Sequence, residues 1–161
     1  MVEFALVMPV LMLLLFGIID FGSVYSNMVS IRQGVREGAR QGVIARWGSA
    51  CSLNAMDITP SSDIQKLMCT VKNRIGITPT SSVYVKVLFD SSYAADNGLV
   101  VCAMTPTKSL SGYLTNVFAG DYIKTKVEMN IETASGSETA GEETAPSGQS
   151  WSWCTATSNT P

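Results

Sequence analysis

The chain has 161 residues, with 11 basic and 13 acidic side chains, a net charge of −2 and no histidine. Without histidine there is no Ser-His or Cys-His catalytic pair and no imidazole metal ligand. The basic residues scatter after Arg46, so the sequence offers no nucleic-acid surface and no nucleic-acid partner is expected.

The first element lies at the chain start. Phe4 to Ile19 is an unbroken apolar run, with Glu3 before it and Asp20 closing it. Sixteen residues of helix extend roughly 24 Å, just short of the apolar core of a bilayer. Such a segment sits in lipid or is buried against copies of itself. A secretory signal needs a basic leader and a small-residue cleavage site. Here the run follows Met1-Val2-Glu3, and the first basic residue is Arg32. The expectation is a mature chain whose leader has been removed. A permanent anchor meets a conflict, because Arg32, Arg36, Arg40 and Arg46 favour a cytoplasmic flank. Four cysteines and a Ser/Thr-rich tail suit the outside. An apolar run that is not a permanent anchor resolves the conflict.

Gly34, Gly38 and Gly42 then recur every four residues, with Ala39 beside them. This spacing puts bare backbone on one helix face and lets another helix approach closely. Each internal glycine costs about 1 kcal/mol against alanine, so a solitary helix gains nothing from the pattern. Val24, Met28, Ile31, Val35 and Val43 add an apolar stripe at helical spacing. The reading is one helix from Met1 to about Ala45, with Pro9 and Gly17 as places to bend.

The segments Val2-Glu3-Phe4-Ala5-Leu6-Val7-Met8-Pro9, Phe16-Gly17-Ile18-Ile19-Asp20-Phe21-Gly22 and Arg36-Glu37-Gly38-Ala39-Arg40 carry a resemblance. They are similar to TadE/TadG-like pilins of the tight-adherence branch of type IV pili, over about the first 45 residues. The resemblance implies a leader removed by a prepilin peptidase and a subunit stored in the inner membrane. It further implies delivery by a pilus assembly machinery into an extracellular surface filament, a helical polymer of the chain with itself. Glu3, Phe4, Pro9, Gly17, Asp20, Gly34, Gly38 and Gly42 are the positions it assigns to subunit assembly. Glu3 takes the role of the pilin glutamate that meets an N-terminal amine, although it lies nearer the chain start than that glutamate usually does.

Beyond the helix, about 115 residues suffice for one small domain. Thr59 and Pro60 read as N-cap and first position of a second helix, with an apolar stripe of Ile64, Leu67, Met68, Val71 and Ile75. Gly76 and Pro79 stop it. Val83, Val85, Val87 and Phe89 alternate as a strand, and residues 90–98 are turn-rich. Leu99 to Met104 is apolar on both faces, which predicts an interior strand. Leu110, Tyr113, Leu114, Val117 and Phe118 form a helical stripe ended by Gly120. Ile123, Val127, Met129 and Ile131 face inward on a third strand, with Lys124, Lys126, Glu128, Asn130 and Glu132 outward. Glu128 and Glu132 are a solvated strand face rather than a catalytic pair. Residues 133–150 are small and polar and predict a mobile loop. Trp151, Trp153 and Cys154 bring the chain back to the body.

The expected fold is therefore α+β and pilin-like: a long hydrophobic N-terminal helix on a small, mainly antiparallel sheet of about three strands, with two further short helices. Residues 1–47 form the helix, 48–132 the head, and 133–161 the loop and Cys-anchored tail. In an exported chain, Cys51, Cys69, Cys102 and Cys154 predict two disulfides. Cys51 lies just past the first helix and Cys69 on the flank of the second, so Cys51–Cys69 is expected, leaving Cys102–Cys154 to pin the tail. No Cys-x-x-Cys pair and no phosphate loop is present, and neither cofactor, metal nor enzymatic activity is expected. Two functions of different class remain: a filament-forming structural pilin, and a membrane-anchored minor pilin or extracellular binding module.

Overall fold

The structure, a computed structural model, describes residues 2–46, 48–49, 51–59, 61–77, 82–133 and 140–156, without the side chains of Val2, Glu3 and Ala5. Helix α1 runs from Val2–Val43 without a break at Pro9 or Gly17, and its 42 residues extend about 63 Å. The head follows as β1 (Met56–Ile58), α2 (Ser62–Ile75), β2 (Tyr84–Phe89), β3 (Gly98–Pro106), α3 (Thr115–Phe118), β4 (Tyr122–Asn130) and β5 (Ala140–Glu143). The class is α+β as expected.

The sheet has five strands in the order β1-β5-β2-β3-β4, every pair antiparallel. Expecting about three strands missed β1, only three residues long, and β5, four residues with no apolar alternation. β5 also corrects the loop expected over residues 133–150. Ala140–Glu143 is inserted between β1 and β2, and Gly141 and Glu143 are buried. Residues 134–139 of the expected loop lie outside the described residues.

Helix α2 starts later than Thr59 and Pro60 predict. Its N-cap is Ser61, whose hydroxyl accepts from the Ile64 amide at 3.5 Å. Pro60 lies outside the described residues, as does Pro79. The C-cap is Gly76 at φ 67°, a left-handed conformation that costs glycine little. The stripe expected from Leu110 to Phe118 contracts to the four residues of α3. Gly112 stands at φ 82°, and the preceding residues are drawn off as a loop against α1.

The two faces of the sheet are covered differently. On one, Ile31, Val35, Ala39 and Val43 of α1 and Ile64, Leu67, Val71 and Ile75 of α2 pack on Val85, Val87, Leu99 and Val101. On the other, Val100, Cys102 and Met104 meet Trp151 and Cys154 of the tail. β3 is buried on both faces, as its continuous apolar sequence predicts. Disulfides join Cys51 to Cys69 and Cys102 to Cys154. The first ties the segment after α1 to α2; the second ties the tail to the sheet.

Candidate functional site

Helix α1 has two unlike halves. From residue 31 onward, its buried positions Ile31, Gly34, Val35, Gly38, Ala39, Gly42 and Val43 form one face against the head. Toward the N-terminus the apolar run is bare: Phe4 is 70% exposed, Leu6 75% and Ile18 74%. By length and composition α1 can cross a membrane, and only 6% of its most apolar stretch is buried. An unburied apolar surface of this size on an isolated chain requires lipid or other protein to cover it.

The glycine face is occupied within the chain. A Cβ on Gly34 would stand 2.5 Å from the Ile75 Cα. One on Gly38 would stand 2.5 Å from Val71 Cγ2, and one on Gly42 2.8 Å from Leu99 Cδ2. The close approach expected from their spacing exists within the chain, made by α2 and, at Gly42, also by Leu99 of β3. At Gly17 a Cβ would meet nothing within 4 Å, so this glycine stands open.

Asp20 is likewise engaged within the chain. Although it ends the apolar run, it is wholly buried. One carboxylate oxygen accepts from the backbone amides of Leu110 at 2.9 Å and Ser111 at 2.7 Å. The other accepts from the hydroxyls of Ser109 at 2.7 Å and Ser111 at 2.6 Å. Four donors offset the desolvation of an ionised carboxylate. On either side of this latch, aromatic rings fasten the same loop to α1. Tyr113 stacks on Phe16 with centroids 4.9 Å apart, and Phe118 meets Phe21 edge-on at 5.7 Å. Sequence reasoning missed Ser109, Ser111 and Tyr113. The available signal was Asp20 itself, since a charge abutting an apolar run requires donors, and Ser109-Leu110-Ser111 supplies them.

A second buried charge serves the head. Lys72 of α2 donates to Glu143 of β5 at 2.6 Å, both side chains almost fully buried. The carboxylate also accepts from the Asn54 amide at 2.7 Å and the Val85 amide at 2.8 Å. Every partner is structural, joining α2, β2 and β5. At the far end of α1, the Tyr93 hydroxyl donates to the Gly42 carbonyl at 2.6 Å. Burial raises the pKa of that phenol and keeps the donor protonated. Among the described residues no group of three or more Cys, Asp or Glu stands where it could hold a metal ion. Glu3, assigned to assembly, has its side chain outside the described residues; Phe4 and Pro9 lie exposed on the bare half of α1.

Residues 1–40 match the family model described as TadE-like protein. The match takes in nearly all of α1 and ends before the head. No curated protein and no solved structure matches the chain.

Proposed function

We propose that this chain, TadE-like over its N-terminal segment, is a structural pilin subunit that polymerises through α1 into an extracellular Tad-like filament. The observation that carries the reading is the bare apolar half of α1, projecting from a head stapled by two disulfides. In lipid, Phe4 to Ile19 has its apolar surface covered; in a filament core, neighbouring helices cover the same surface. Transfer between the two leaves the head unchanged. Glu3 takes its part by pairing with an N-terminal amine, which removes two charges from an apolar surround. The machinery expected around it is a prepilin peptidase and a pilus assembly apparatus. The role is structural rather than catalytic.

One observation favours a second reading. The glycine face of α1 that would have supported close packing with neighbouring helices is covered within the chain, by α2 and by Leu99 of β3. What remains for neighbours is the apolar half alone, which a membrane-anchored minor pilin also needs. Electron microscopy of sheared surface filaments, with mass spectrometry of their main component, separates the two. This chain as the main component establishes the major pilin; its presence only in traces, or only in the membrane fraction, establishes the minor one.

A further inference from the structure

The segment from Thr107 through α3 to Phe118 leaves three large apolar side chains bare: Leu110 is 71% exposed, Tyr113 73% and Val117 62%. An isolated head gains nothing from presenting them. Their position along α1 is fixed by the latch. Leu110 and Ser111 are bonded to Asp20, the first residue past the apolar run, and Tyr113 stacks on Phe16, one turn inside it. One turn is about 5.4 Å. When Phe4 to Ile19 lies in lipid, these side chains therefore stand at the edge of the hydrocarbon layer.

We propose that this segment is a membrane foot: a second lipid contact that enters the headgroup layer beside α1 and sets how deeply the chain is seated. It rests on the reading of Phe4 to Ile19 as membrane-stored. Three features fit the occupant. Tyrosine alongside a span matches the aromatic side chains enriched at the membrane–water boundary. Lys108, exposed just upstream, suits lipid phosphates. Asp20, which would otherwise bring a bare carboxylate to that depth, has its charge wholly occupied by the loop. The run itself is roughly 24 Å against a core of about 30 Å, so added apolar surface at its end strengthens a short anchor.

The test uses the full oxidised chain in vesicles of phosphatidylethanolamine and phosphatidylglycerol, with single nitroxide labels at Leu11→Cys, Arg32→Cys, Leu110→Cys and Val117→Cys. Relaxation by lipid-soluble oxygen and by an aqueous nickel complex gives each label's depth. The expected result is a buried label at 11, an aqueous one at 32, and interfacial values at 110 and 117. Tyr113→Ser should shift the 110 label toward the aqueous value while both disulfides stay formed. Aqueous values at 110 and 117 with a buried label at 11 overturn the foot and leave the membrane-stored reading standing. An aqueous label at 11 overturns both. Labels at 110 and 117 that are aqueous in vesicles yet immobilised in assembled filaments overturn the foot in favour of contact with a second copy.

Discussion

A glycine in a helix weakens it by about 1 kcal/mol against alanine unless the missing side chain makes room for something. Gly34 makes room for the backbone of α2, because the Ile75 Cα and amide nitrogen occupy the space a methyl would take. Backbone cannot rotate away as a side-chain tip can. Gly34→Ala is therefore expected to destabilise the head by about 1–3 kcal/mol despite its better helix propensity. Gly22 meets nothing within 4 Å, and Gly22→Ala is expected to be neutral or to stabilise by up to about 1 kcal/mol. Urea unfolding of the detergent-solubilised oxidised protein, followed by circular dichroism, measures both. The four-residue spacing made a close helix contact legible in the sequence. Which helix makes it was not legible, because the spacing describes one surface and the partner depends on where the chain returns. Asp20 follows the same logic: its need for donors could be read, but their identity depends on a loop some 90 residues away.

At the level of elements, sequence pattern found what is long and periodic. α1, α2, β2 and β4 carry apolar residues at a fixed period, and β3 an unbroken apolar run, enough to announce themselves. β5 does not: Ala-Gly-Glu-Glu has poor strand propensity and reads as part of a polar loop. Its place is fixed by tertiary structure, by ladders to β1 and β2 and by Glu143 meeting Lys72 inside the head. Lys72→Met should leave a buried carboxylate without its countercharge and cost about 3–5 kcal/mol, read from the same unfolding transition. Under native hydrogen exchange, the amides of β5 that bond into these ladders should be as slow as those of β2, whereas a free polar loop would exchange at once. Cys154→Ala tests the other end of this region. The Cys102–Cys154 bridge spans a separation of 52 residues, and its loss should cost roughly 4 kcal/mol in the chain-entropy model. Trp151, now packed on Met104 and Cys102, should move into water and shift its fluorescence to the red.

For the whole molecule, α1 does two jobs along one length, and variants in its two halves should fail at different stages. Positions 31–43 belong to the head, so Gly38→Leu forces a side chain into Val71 and α2. Its expected defect is in folding: less subunit in the membrane, slower or scrambled disulfides, and fewer filaments only as a consequence. Glu3 lies near the N-terminal end of α1, and its proposed pairing with an N-terminal amine, of a neighbouring subunit or its own, acts at filament assembly. Glu3→Gln keeps the shape of the side chain and removes its charge. It should leave subunit level, disulfides and unfolding midpoint at wild-type values while sharply reducing filament yield. Measuring filaments per subunit, with non-reducing peptide maps of the membrane pool, places each variant at its stage. Wild-type filament yield from Glu3→Gln at equal subunit level would sink the charge-pairing mechanism, and a normally folded pool of Gly38→Leu would show that α2 can yield to it.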